Sequence, residues 1–275
     1  MSRSNTTENA RNPSTRWFEW GGGGDQGFVR YYDKDAKKNV PMPMPFKFLL
    51  LDELSTVKGW HEASESSIYA NEVRDTRQDV FVVRAYKGGD LASDLYARIR
   101  DRIKAVGGYF HASAYIAYKE GDELKLGNIG FNGASLRAWM DFKANCPGRQ
   151  NKDGKTVRGY YVDAVNITGY TDGKKGNVKF RVPTFGLTPV SDETNAAATK
   201  LDVELQQFLT DYLSRTRTEQ AVATKTAGPA VAPEAHPVSA HQAEYQEHVG
   251  GGGATEGAFP EEHDDLPFVT RLSIW

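Results

Sequence analysis

Short runs dense in β-branched and aromatic residues, punctuated by Gly, Asn and Asp, recur along the first two-thirds of this chain and confine it to a largely β fold. Phe46 to Leu51 (FKFLLL) is continuously apolar, the pattern of a strand buried on both faces, and Asp52–Glu53 read as surface carboxylates at its end. Between Gly59 and Val73, the segments around Trp60 and Ile68–Tyr69 read as strands. So do Val80 to Tyr86 (VFVVRAY) and Tyr109 to Tyr118 (YFHASAYIAY). Glu123 to Phe131 follows the last of these across the turn Lys119–Asp122. Gly159 to Tyr170 and Asn177 to Val182 form a hairpin with Thr171 to Gly176 as its loop.

Three helices interrupt this pattern. Leu91, Leu95, Ile99, Ile103 and Val106 make one apolar stripe over Leu91 to Val106, closed by Gly107–Gly108. Ala134 to Lys143 is a short helix before the Asn145–Gly148 break. The last helix starts near Ser191–Asp192–Glu193 and carries Leu201, Leu205, Phe208, Leu209 and Tyr212 on one face. Three strand segments, a helix and two strands is the order of an OB-type barrel. The expected class is therefore mainly β with helices: an OB-fold-like five-stranded barrel elaborated by an extra hairpin and a C-terminal helix.

Texture divides the chain. Residues 1–15 are polar and expected to be flexible, 16–217 form the barrel domain, and 218–275 are rich in Ala, Pro, Gly, Glu and His. Such a tail cannot bury enough apolar surface to offset its ordering entropy and is expected to be disordered. Charge divides the same way. Residues 219–275 hold nine acids against Lys225 and Arg271, giving −7, so with Lys+Arg 34 and Asp+Glu 36 overall, residues 1–218 carry 32 − 27 = +5. A basic body with an acidic tail fits a protein that binds a polyanion and tunes that binding.

Several functions fall away. No apolar run is long enough to span a membrane, and Met1 to Arg16 has no apolar core of the kind a secretory signal needs. Cys146 is the single cysteine, which excludes an internal disulfide and multi-cysteine metal sites. Four of the six histidines (His236, His241, His248, His263) lie in the tail at no metal-binding spacing. No cofactor or metal is expected. Gly22 to Gly27 matches G-x-G-x-x-G, yet the residues after it, Phe28 to Tyr32, read as a strand where a dinucleotide site needs a helix. Asp52, Glu53 and Asp79 are the carboxylates a metal-dependent nuclease would use, and no other catalytic pattern is present.

Aromatic rings interleaved with bases are more informative. Arg16-Trp17-Phe18-Glu19-Trp20 is followed by Phe28-Val29-Arg30-Tyr31-Tyr32 with Lys34, Lys37 and Lys38. Val83-Arg84-Ala85-Tyr86-Lys87 forms a further cluster, and Lys174, Lys175, Lys179 and Arg181 another. Single-stranded nucleic acid calls for this pairing, because unstacked bases lie on exposed rings while phosphates need Lys or Arg beside them. Burial is the commoner fate of any one ring. Strand alternation places Arg84 and Tyr86 on one face, opposite Val83. The expected stacking residues are Trp20, Tyr31, Tyr32, Trp60, Tyr69 and Tyr86. Those for phosphates are Arg30, Lys34, Lys37, Lys38, Arg84 and Lys87.

The tail tip reads Glu261-Glu262-His263-Asp264-Asp265-Leu266-Pro267-Phe268. An acidic run before Leu-Pro-Phe resembles the C-terminal tip of bacterial single-stranded DNA-binding proteins, except that Val269 to Trp275 follow Phe268 and a different aromatic, Trp275, ends the chain. The body is longer than the compact bacterial domain. Its Pro41–Phe46 lead-in (PMPMPF) and its helix near Leu201 to Leu213 resemble the enlarged OB-fold proteins of that class in tailed phages. The resemblance covers about residues 16–215 and the tip.

The resemblance implies sequence-independent binding and protection of single-stranded DNA, with RNA as a weaker ligand, in phage replication, recombination or repair. It implies no enzymatic activity, a monomer or small homo-oligomer, and residence in the cytoplasm of the infected bacterial host. Asp264, Asp265, Leu266, Pro267, Phe268 and Trp275 would dock replication or recombination proteins. Two rival readings are the nuclease and a phage protein-interaction module whose functional part is the tail.

Overall fold

The computed structural model describes residues 12–23, 26–151 and 154–225, with side chains described as far as Thr216. The elements are β1 (Arg16–Gly21), β2 (Phe28–Asp33), β3 (Lys38–Pro41), β4 (Phe46–His61), β5 (Ser66–Ala70), β6 (Phe81–Ala85) and β7 (Gly89–Asp94). They continue with α1 (Tyr96–Ala105), β8 (Gly108–Glu120), β9 (Glu123–Asn132), α2 (Gly133–Asn145), β10 (Gly148–Gln150), β11 (Thr156–Arg158), β12 (Ala164–Lys175), β13 (Val178–Thr188) and α3 (Asp192–Lys225).

The mainly β class with helices is what forms, but the sheet does not close into a barrel. Its strands run in the order β3-β2-β1-β9-β8-β4-β5-β6-β7, and β12 adds to the start of β4. Within it, β9-β8-β4-β5-β6 is the five-strand set expected from the sequence. Closure would require β9 to bond β6. The outer edge of β9 is taken instead by β1 in parallel, and that of β6 by β7. A mixed open sheet with two full faces results.

One face is buried along most of its width. Phe18, Phe48, Ile129 and Phe131 pack under α2, whose Trp139 is fully buried among them. Val57, Ile68, Phe81 and Val83 pack with Ile99 and Ile103 of α1. On the opposite face, Leu205, Phe208 and Leu209 of α3 bury Leu54, Tyr115 and Leu126, and Ala198 packs with Leu49 and Ala117, as the apolar face of this helix requires. Ser191 caps α3 by accepting from the Thr194 N–H.

Several boundaries differ from expectation. Asp52–Glu53 do not end a strand: β4 runs sixteen residues through them, with a bulge between Leu50 and Asp52. Leu91 belongs to β7, not to a helix, because Ala92 and Ser93 pair with Val83 and Val82; α1 starts at Tyr96. The residues expected as a loop at Thr171–Lys175 are strand, so the hairpin turns at Gly176–Asn177 and Gly159–Tyr161 forms a short 3-10 turn. Asn12–Thr15 are anchored instead of flexible, since Thr15 bonds the Leu126 carbonyl through both its N–H and its hydroxyl. Helix α3 extends to Lys225, past the expected boundary at 217. The remainder of the tail, with Asp264 to Phe268 and Trp275, lies outside the described residues. No described helix is long and apolar enough to cross a membrane.

Gly107 is required where α1 meets β8. Its φ is +88°, and a Cβ there would stand 2.3 Å from the Trp60 carbonyl oxygen. Trp60 donates its own N–H to the Gly107 carbonyl, so this turn fixes the end of β4.

Candidate nucleic-acid interface

Directly opposed residues in a ladder project to the same side of a sheet. Lys58 opposes Tyr109 on β8 and Tyr69 on β5, Tyr69 opposes Arg84, and Arg84 opposes Asp90 on β7. A second row starts with Trp60 opposite Ser67, whose carbonyl accepts the Tyr86 N–H. Asp52, Leu54, Thr56, Lys58 and Trp60 alternate to the face that α3 covers, so both rows lie on that face beyond the helix. Trp60 is 37% exposed, Tyr109 37% and Tyr86 49%. Trp60, Tyr109 and Tyr86 are therefore exposed on this face, with Tyr69, Lys58 and Arg84 half-buried among them across β8, β4, β5 and β6.

The surface is held in place by polar contacts. Arg84 donates Nε–H to Asp90 at 2.6 Å. Burial raises the Tyr69 phenol above its usual pKa against the pull of Arg84, so it stays a neutral ring. Burial lowers the Lys58 ammonium below its usual range, while Tyr109, Glu72 and Glu19 pull the other way. Lys87 is exposed in the turn after Tyr86 and donates its N–H to Ser66 Oγ.

The face continues on the other side of β8. Glu19 lies beside Gly130 and opposite Arg30, and Arg30 donates Nε–H to Glu19 at 2.7 Å. Between Arg30 and Lys58 sits His111, only 6% exposed, with neither ring nitrogen hydrogen-bonded among the described residues. Its ring lies against Gly130, where a Cβ would come within 2.2 Å. Burial first, and Lys58 second, hold this imidazole well below its ordinary pKa. From β2 to β6 the track spans seven strands, about 29 Å at the usual strand spacing, and is interrupted by the buried His111 and Gly130.

The sequence-selected residues divide accordingly. Trp60, Tyr69, Arg84, Tyr86 and Lys87 come together, and Arg30 and Tyr32 lie on the same face farther along. Trp20 and Tyr31 do not join them. They face the buried side, where Tyr31 packs edge-on against Phe18 under the Arg16 guanidinium and Trp20 donates Nε1–H to the Arg181 carbonyl. Both are core-side rings because they alternate with Arg30 and Glu19. Lys34, Lys37 and Lys38 are exposed in the β2–β3 hairpin, whose turn is fixed by Asp33 accepting from the Asp35 and Ala36 N–H groups. Lys58 and Tyr109 were missed. Period-two alternation from Trp60 and Tyr69 is the signal that finds both.

The carboxylates of the nuclease reading diverge. Asp52 faces α3, accepting from both Arg74 Nη atoms (2.8 and 2.7 Å) and from Gln206. Glu53 faces α2, accepting from Trp139 and Lys143. Asp79 accepts the Asp75 N–H. No group of three or more His, Cys, Asp or Glu that could hold a metal exists among the described residues. Comparison with protein-family models, curated proteins and solved structures gives no match in any of the three.

Proposed function

We propose that this protein binds single-stranded nucleic acid across the open face of its sheet, without catalysing a reaction on it. The observation that carries this reading is the register of Trp60, Tyr69, Tyr86 and Tyr109 with Lys58 and Arg84 on one face of the sheet, where Trp60, Tyr86 and Tyr109 are exposed. Rings of this kind accept unstacked bases of any sequence, and the cations between them meet phosphates. A duplex hides its bases and gains nothing from the rings. The polyanion reaches a face instead of a barrel groove, in the manner of sheet-face binders of single strands. DNA is the preferred ligand and RNA the weaker one, on the resemblance of the sequence to phage single-stranded DNA-binding proteins. The same resemblance places the work in phage replication, recombination or repair inside the infected bacterium, with the acidic tail tuning binding and docking partner proteins.

Titration of full-length protein with single-stranded DNA, RNA and duplex DNA, with and without Mg²⁺, tests the reading. Single-stranded DNA should bind tightest and remain uncut. Its affinity should fall with salt at a slope of about −0.7 per phosphate neutralised. Preference for blunt duplex, or cleavage of the strand, would overturn it.

A further inference from the structure

The β12–β13 hairpin leaves the sheet. β12 pairs with β4 only from Val165 to Ile167, and from Gly169 onward its one ladder partner is β13. The six steps from Gly169 to Lys175 make an arm of about 20 Å. The arm rests on the β1–β2 turn along most of its length: Tyr170 packs against Gly27, Arg181 donates its N–H to the Gly22 carbonyl and Phe180 bridges Gly23, which leaves the Lys174–Lys179 tip next beyond these contacts. Arg30 adjoins that turn through Gln26, so the arm lies at the sheet edge where the ring-and-cation track ends, against the side that Trp20 faces.

The tip differs from the track in chemistry. Residues 174–179 (KKGNVK) hold three lysines and no ring. Lys174 directly opposes Lys179, both exposed. Like charges directly opposite each other destabilise a ladder, so the pair works against the fold of its own arm. Lysines without rings meet phosphates but not bases. That suits a duplex, whose bases are stacked inward and whose grooves admit a two-stranded ribbon.

We propose that the arm grips the backbone of a duplex flanking the bound single strand, so that the protein seats at single-strand–duplex junctions. This rests on the single-strand reading of the open face. The test compares three DNA probes (a single strand, the same strand joined to a duplex flank, and the blunt duplex) with wild type, the double variant Lys174→Gln/Lys179→Gln, and Trp60→Ala. The junction should bind wild type tighter than the single strand, with a salt slope about 1.8 steeper for the two lysines. The double variant should lose that increment, keep its single-strand affinity and melt no lower than wild type. Trp60→Ala should weaken both tailed and untailed probes alike. A wild type with no junction preference overturns the arm and leaves the open face standing. Equal weakening of the double variant on the plain single strand also overturns it, making the lysines an extension of the single-strand footprint. Absence of single-strand binding in wild type overturns both.

Discussion

The two faces of the sheet carry aromatic residues in similar density and put them to different uses. On the buried face, Phe131 stacks on Trp139 at 5.0 Å and Phe18 meets Tyr118 edge-on at 4.8 Å, under α2 and beside Phe46 and Phe48. On the other face, Trp60, Tyr86 and Tyr109 stay exposed to solvent. What separates core from platform is therefore which side of a strand a ring takes, and whether an element lies over it. Arg84, half-exposed and paired with Asp90, adds to the difference, since a covered face would have to desolvate it.

The largest effect that could break this comparison is on stability. Trp139→Ala should cost about 3–5 kcal/mol of folding free energy, because it opens a cavity in the buried face and leaves Glu53 and Lys143 without their ring. Single-strand affinity of the remaining folded protein should be unchanged. A stable variant with weakened binding would place the interface on the wrong face.

The reverse pattern is expected of the open face. Trp60→Ala and Tyr86→Ala should each weaken single-strand binding by about 1–3 kcal/mol, with changes in stability within roughly 0.5 kcal/mol. Tyr31→Ala should do the opposite, losing stability through Phe18 and leaving binding intact. Calorimetric melting and fluorescence titration of these three variants separate the roles.

His111 sharpens the boundary between the faces, since it is a polar group buried in the open one. Its native pKa lies below the ordinary 6.5, so the unfolded chain takes up a proton in acid that the native protein refuses. Its share of stability is complete above about pH 6.5 and is lost as the pH falls, at up to about 1.4 kcal/mol per unit. Denaturant midpoints between pH 7.5 and 5 should fall more steeply in wild type than in His111→Asn. Parallel curves would mean that the imidazole is hydrated in solution.

Much of this was legible in the sequence where one physical signal acted alone. The stripe of α3 and the hairpin of β8 and β9 follow from single clean periodicities. Alternation placed Arg84 and Tyr86 correctly. The sequence misled where two signals competed. Leu91 and Leu95 mimic a helical stripe, but the pairing of Ala92 with Val83 holds the first of them in a strand. Asp52 and Glu53 look like surface charges, yet each is satisfied from a distant part of the chain, Asp52 by Arg74 of the β5–β6 loop and Gln206 of α3, and Glu53 by Trp139 and Lys143 of α2. Closure of the barrel depended on which edges β1 and β7 would occupy, and no local pattern encodes that. Trp20 and Tyr31 were chosen for their neighbours in sequence, while their side of the strand decided their fate.

The smallest expected effect concerns the tail, and it bears on the open face alone. Residues 226–275 hold eight acids against Arg271, a charge of −7. Tethered to α3, such a segment is a polyanion at an effective concentration on the order of millimolar near the cations of the open face. On the proposed reading it should compete with DNA for Lys58, Arg84 and Lys87 through contacts that salt screens. Deleting residues 226–275 should tighten single-strand binding a few-fold at low salt, and the gain should vanish as salt rises. Stability should not move, since the core clusters close with residues up to Leu213. The same deletion should abolish capture of replication partners if Asp264, Asp265, Leu266, Pro267 and Phe268 dock them. Titrations of both forms at two salt concentrations, with melting curves alongside, read each part separately. Equal affinities at low salt would show that the open face works without interference from its own tail.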